Sequence, residues 1–149
     1  MENAFTEGER AAWGGLLGTF SRLSARIDDD LRTRFGISHV ELEVLLRLAF
    51  AEGRRLRIQD LAAQSILTRS GMSRAVERLE RAGLVTREAA PEDRRGAYAV
   101  LTELGLAHFE TAAEAHMVFV RRNFLDLFSE TELAQMVAFW ERIRERQTG

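Results

Sequence analysis

The chain has 149 residues, 46% of them hydrophobic and 30% charged, with one proline and no cysteine. A chain of this size can bury a sufficient core by itself, so a single domain, 1–149, is expected without a disulfide or metal staple. The lack of cysteine excludes a disulfide framework, a thiolate zinc site, an iron–sulfur cluster and a thiol redox switch. No apolar run approaches the roughly 18–20 residues of a membrane span, and Met1-Glu2-Asn3-Ala4 does not open a secretory leader, so a cytoplasmic protein free of the membrane is expected. The net charge of −2 hides an asymmetry. Between Arg54 and Arg95 stand ten arginines and six acids, a surplus of four positive charges inside an otherwise acidic chain. That block points to a polyanionic partner.

From about Glu9 to Phe35, Trp13, Leu16, Leu17, Phe20, Leu23, Ile27 and Leu31 recur every three or four residues, which predicts one long helix ended by Gly36. At ~1.5 Å per residue it is roughly 40 Å long, more than a small domain covers alone. Ser38 and Glu41 form a capping box, stapled by Ile37 and Leu42, that opens a second helix running through Leu45 and Leu48 to Gly53. Leu56 to Ile58 reads as a short extended piece, and Gln59 to Ser65 as a short helix. Thr68 caps the next helix, whose inward face is Met72, Val76 and Leu79 and whose stop is Gly83. Its other face carries Arg69, Ser70, Ser73, Arg74 and Arg78.

The period then changes to that of strands. Val85 to Ala89 and Ala97 to Leu101 flank the turn Ala90-Pro91-Glu92-Asp93-Arg94-Arg95-Gly96, a hairpin with a long basic tip. Thr102 starts a fifth helix reaching about Phe128. Ser129 with Glu132 opens the last, which places Leu133, Met136, Val137, Trp140 and Ile143 on one face. The fold class is therefore mainly α with a small β-wing. A short helix, a turn, a second helix and an adjoining hairpin make a winged helix-turn-helix.

A helix that enters the DNA major groove needs small polar residues for close approach and arginines that can bond guanine bidentately. Ser70, Ser73 and Arg74 meet that need, Arg69 and Arg78 can reach flanking phosphates or bases, and the free amides after Thr68 favour a phosphate. Such a face alone could equally be a solvated helix surface. The Asp93-Arg94-Arg95-Gly96 tip that follows adds two guanidinium groups on a rigid hairpin, suited to a neighbouring minor groove. Together the two features predict double-stranded DNA as the partner. The competing reading is a helical protein-interaction module with a winged-helix fold that does not bind DNA, and such a module would lack both a basic helix face and a basic tip.

Three stretches resemble the MarR family of winged helix-turn-helix transcriptional regulators. They are Leu61-Ala62 with Leu67-Thr68-Arg69-Ser70-Gly71-Met72-Ser73-Arg74 and then Val76 to Val85, the wing Pro91-Glu92-Asp93-Arg94-Arg95-Gly96, and Val100-Leu101-Thr102-Glu103-Leu104-Gly105. The resemblance implies a homodimer held by helices at about 9–35 and 103–146, with a DNA-binding lobe at about 38–101. It implies that Asp93 orients the wing, that Arg95 enters the minor groove and that Arg94 meets the backbone. Independently, long helices with apolar stripes at both chain ends call for a partner. Two-fold symmetry would then set two recognition helices ~34 Å apart on a pseudo-palindromic site.

The resemblance further implies a repressor that a small aromatic or anionic molecule releases from DNA. Trp13, Phe20, His39, Phe50, His116 and Arg121 are the candidate lining residues by type and by helix, although packing or a solvated surface accounts for each as well. The peroxide-sensing branch of the family, which uses a reactive thiol, is excluded. No metal or cofactor is expected, since His108 and His116 lie ~12 Å apart along one helix, and Asp28-Asp29-Asp30 fan around the axis as a solvated patch. No phosphate-loop glycine pattern, Gly-x-Ser-x-Gly elbow or His-Glu-x-x-His pair is present, and no catalytic residue is expected.

Overall fold

The computed structural model describes residues 4–63, 68–90 and 96–147, with Arg69 and Gln147 described in their backbone alone. The helices and strands run α1 (Glu7–Phe35), α2 (His39–Phe50), β1 (Arg55–Arg57), α3 (Ile58–Ala63), α4 (Arg69–Arg81), β2 (Val85–Ala89), β3 (Ala97–Leu101), α5 (Glu103–Asn123) and α6 (Glu130–Gln147). Short 3-10 turns lie at Glu52–Arg54 and Leu125–Leu127. Residues Met1–Ala113 and Glu114–Gly149 form two compact units, with the boundary inside α5. No helix among the described residues is long and apolar enough to cross a membrane.

The core of the first unit is the meeting of α2, α3, α4 and the sheet. Leu45, Leu48, Leu61, Met72, Val76 and Leu79 are fully buried there. Three strands form an antiparallel sheet in the order β1-β3-β2, in which Val85 faces Leu101, Arg87 faces Ala99, and Leu56 faces Ala99 from the other side. Alternation puts Val85, Ala99 and Leu101 on the buried face, and Arg55, Arg57, Glu88 and Tyr98 on the opposite one. Arg55 lies over the Tyr98 ring, 4.0 Å from its centroid.

Local chemistry fixes the helix ends. Thr6 and Glu9 form a capping box, so α1 begins at Glu7, two residues ahead of the expected start at about Glu9. The Ser38–Glu41 box starts α2 as expected, and its staple residues Ile37 and Leu42 are buried. Helix α4 ends in a Schellman motif, with Leu84 N–H bonded to the Leu79 carbonyl and Gly83 N–H to that of Glu80. Gly83 takes the left-handed conformation (φ +73°) that this motif requires. Immediately beyond, Thr102 Oγ1 donates to the Gly83 and Leu84 carbonyls and accepts from Gly105 N–H. A Cβ on Gly105 would lie 2.0 Å from the Leu84 carbonyl oxygen, so the start of α5 is pressed against the end of α4.

Several boundaries differ from the sequence expectation. Helix α2 stops at Phe50 rather than Gly53, because Ala51 is already extended (φ −78°, ψ 151°); Gly53 and Arg54, both at positive φ, then turn the chain into a strand. That strand is Arg55–Arg57, and Ile58 already belongs to α3. Expected helix continuation at Gln64 and Ser65 lies outside the described residues. In the second unit, α5 ends at Asn123 and not near Phe128. Asn123 Nδ2 bonds the Phe119 carbonyl and Phe124 leaves helical geometry (φ −141°, ψ −64°), after which Phe124 and Phe128 pack edge to face. Ser129 and Glu132 then cap α6 as expected.

Large apolar side chains are left in solvent on both units. On the N-terminal half of α1, Trp13, Leu17 and Phe20 are exposed, whereas Ile27 and Leu31 further along are buried. On α6, Val137, Trp140 and Ile143 are exposed along one face.

Candidate nucleic-acid interface

Helix α4 is preorganised from its first turn. Thr68 Oγ1 accepts from Gly71 N–H at 3.1 Å and lies 3.2 Å from Ser70 Oγ. Its inward positions Met72, Ala75, Val76 and Leu79 are buried, which fixes the rotation of the helix about its axis. Ser70, Arg74, Glu77 and Arg81 follow at helical spacing on the opposite, exposed face. Glu77 and Arg81 are within 3.9 Å of each other, and among the described residues no ion pair engages Arg74. That guanidinium is therefore available to a polyanion.

Both flanks of the helix are tied to neighbouring elements. On one side Arg87 of β2 donates Nη2 to the Ser73 carbonyl at 2.9 Å and pairs through Nε with Glu80 at 3.2 Å. On the other, Arg78 Nε bonds Oε1 of the buried Glu41 at the start of α2. Ser73 is half-buried beside the base of the wing. An open cavity of about 210 Å³ lies there, lined by Arg57, Gln59, Ser73, Arg87 and Gly96 among others.

The sequence-predicted DNA contacts thus divide by position. Ser70 and Arg74 stand on the outer face, Thr68 caps the helix, Ser73 borders the wing, and Arg78 sits on a flank in an ion pair. The side chain of Arg69 and all of Asp93, Arg94 and Arg95 lie outside the described residues. The strands that carry the wing are Val85–Ala89 and Ala97–Leu101, as the period change predicts, and Ala90 N–H reaches the Gly96 carbonyl to extend the ladder toward the tip. Arg57, Arg87, Glu41 and Glu80 also belong to this region, although the sequence pattern does not place them there. For Arg87 a signal exists: two residues after Val85, it falls on the same face of the strand, from which it reaches α4.

The effector candidates are less coherent. Trp13 and Phe20 are exposed on α1, roughly 10 Å apart by helical rise, and His39 and Phe50 occupy opposite ends of α2, roughly 16 Å apart. His39 donates its main-chain N–H to Asp28 at 2.9 Å, and Phe50 packs edge-on against Phe109. In the second unit Arg121 lies 3.6 Å from Asp126, and His116 is half-buried. None of these residues lines the cavity at the base of the wing. The acidic run at 28–30 is also more structured than a solvated patch. Asp28 binds Arg32 at 2.6 Å as well as His39, and Asp30 pairs with Arg34. Burial raises the Asp28 pKa, but the bonds from Arg32 and the His39 amide outweigh it and hold the carboxyl below the usual aspartate range. Among the described residues no group of three or more His, Asp or Glu could hold a metal ion.

The MarR family model matches residues 35–96, from the end of α1 to the wing. AbsC, a MarR family transcriptional regulator from Streptomyces coelicolor, has a TM-score of 0.88 and 35% identity to this chain, covering 99% of both. Sco3205, a MarR family regulator from the same organism solved in complex with DNA, has a TM-score of 0.88 and 31% identity over 96% of this chain and 90% of its own. The curated HTH-type transcriptional regulator PecS of Dickeya dadantii is 29% identical over 135 residues, 87% of this chain and 80% of that protein. These likenesses favour DNA binding over a protein-interaction module. Its capped and doubly braced helix, its wing strands and its relatives place this chain in the MarR family, as a DNA-binding transcriptional regulator of the winged-helix fold.

Proposed function

We propose that the protein acts as a cytoplasmic homodimer on a pseudo-palindromic duplex, with a recognition helix and a wing from each copy. Thr68, Arg69, Ser70, Ser73, Arg74 and Arg78 serve the major groove and its flanking phosphates. Asp93, Arg94 and Arg95 serve the minor groove and backbone beside it. The observation that carries this reading is the outer face of α4, where Ser70 and Arg74 are exposed on a helix whose cap, core face and two flanks are all engaged. Ser70 permits close approach and Arg74 brings a guanidinium to the bases.

The exposed apolar stripes on α1 and on α6 support self-association, because Trp13, Phe20, Trp140 and Ile143 would otherwise remain in water. In this reading residues 9–35 and 103–146 dimerise and residues 38–101 bind DNA. The protein represses transcription and is released by a small aromatic or anionic effector, for which Trp13, Phe20, His39, Phe50, His116 and Arg121 are the assigned residues.

Selection of a duplex from a random-sequence pool tests the DNA reading: a two-fold symmetric consensus supports it, and an enriched pool without symmetry contradicts it. A thermal-shift screen of aromatic acids and phenols tests the effector reading. A uniformly flat response would leave a ligand-independent regulator.

A further inference from the structure

We infer that Glu41 is a positioning residue for DNA recognition, holding the Arg78 guanidinium in one pose on the flank of α4. The inference rests on the reading that Arg78 meets DNA, and it adds a residue 37 positions away that sets how it does so.

Glu41 is 3% exposed, the most deeply buried acid among the described residues. One of its oxygens acts locally, since Oε2 accepts from Ser38 N–H at 2.7 Å and completes the cap of α2. A neutral glutamine serves a capping box equally well. The charge on Glu41 is therefore not required by the cap, and burying an ionised carboxylate is unfavourable unless it is paired. The pairing comes from Arg78, whose Nε donates to Oε1.

That bond has a geometric consequence. It consumes the Nε edge of the fork and leaves the two terminal amino groups of a side chain that is 48% exposed. Arg78 can then meet a phosphate or a base end-on through those amino groups, but not side-on through Nε. Its rotamers are restricted before DNA arrives, so less conformational entropy is lost on binding. The reference frame for the pose is the junction of α1 and α2 rather than α4 itself. Ser38 and Glu41 belong to that junction, and Asp28 of α1 ties it down through the neighbouring His39 amide.

The test is a double-mutant cycle on the full chain, binding the duplex that the wild type selects from a random pool. Glu41→Gln keeps the cap and removes the charge. We expect its thermal midpoint to stay close to wild type, its Kd to rise about tenfold and its log Kd–log salt slope to fall by about one ion. Arg78→Ala should show a similar loss, and Glu41→Gln should add nothing in the Arg78→Ala background. A purely structural role for Glu41 would instead multiply the two losses, and that result overturns the inference, as does wild-type affinity in Glu41→Gln. Wild-type affinity in Arg78→Ala overturns the Arg78 contact itself, a failure distinguishable from the other two. Should Glu41→Gln lose cooperative unfolding, Arg78→Lys takes its place. It keeps the charge without the fork and should bind nearly as weakly as Arg78→Ala, and wild-type affinity in Arg78→Lys would overturn the inference.

Discussion

Arg87 and Ser73 join the wing to the recognition helix: the guanidinium of the first, on β2, donates to the main-chain carbonyl of the second, in the second turn of α4. The same guanidinium reaches Glu80 two turns further along, so a single side chain spans about half the helix. Two elements that the proposed function assigns to adjacent grooves are thereby held at one angle. A DNA-reading surface built this way is largely rigid before it binds, which lowers the entropic cost of docking.

Replacing Arg87 with alanine should therefore affect binding more than folding. Its partners are partly solvated, so the loss of stability should be about 1 kcal/mol or less by urea titration. Affinity for the selected duplex, read by fluorescence anisotropy, should fall by about tenfold because helix and wing no longer share one orientation. Equal affinities for the two proteins would show that the wing is set by the β-ladder alone.

Thr68→Ala removes the side-chain acceptor for Gly71 N–H at the helix start. A lost cap costs about 1 kcal/mol, and Thr68→Ser should restore most of it. Chemical denaturation of the three proteins gives the comparison, and DNA affinity should follow the same order, since the first turn carries Ser70.

Gly105→Ala should be the most damaging small substitution. The added methyl would meet the Leu84 carbonyl, a backbone atom that cannot swing aside, at 2.0 Å. Relief requires α5 to move away from the Gly83–Leu84 turn, breaking the Thr102 bonds that pin it. A loss of about 3 kcal/mol or more is expected. A thermal midpoint within a degree or two of wild type would mean that this junction is loosely packed.

Acid should weaken the α1–α2 junction. Burial opposes ionisation of Asp28, but Arg32 and the His39 amide favour it more, so its pKa is lowered in the folded state. A depressed carboxyl contributes stability that is present above its unfolded pKa, about 4, and is lost as the pH falls through the lower folded value. Urea midpoints measured from pH 6 to pH 3 should thus fall more steeply for wild type than for Asp28→Asn, the two curves converging at the acid end. Parallel curves would remove Asp28 from the account.

Much of this architecture is legible in the sequence because it is local. The Ser38–Glu41 and Ser129–Glu132 boxes, the Thr68 cap, the Gly83 stop and the change of period at Val85 all act within a few residues, and each produces the element expected of it. The hidden features are those that join distant positions. Glu41 reads as a capping residue and nothing more until the fold brings Arg78 to its second oxygen. Strand β1 has three residues and exists only because β3 pairs with it, so spacing alone leaves it as an extended fragment. The Asp28 to His39 bond is equally non-local, which is why the acidic run reads as a solvated patch. The effector residues stand out only by type and helix, and no period or spacing links them.

DNA recognition by this protein rests on the outer face of α4, and titration of Arg74→Ala against the selected duplex across a salt series is its sharpest test. Wild type should bind with a steep salt dependence, and Arg74→Ala should lose roughly 1–3 kcal/mol, about fivefold to over a hundredfold in Kd. Indistinguishable isotherms for the two proteins at every salt concentration would contradict the assignment of this helix face to the bases.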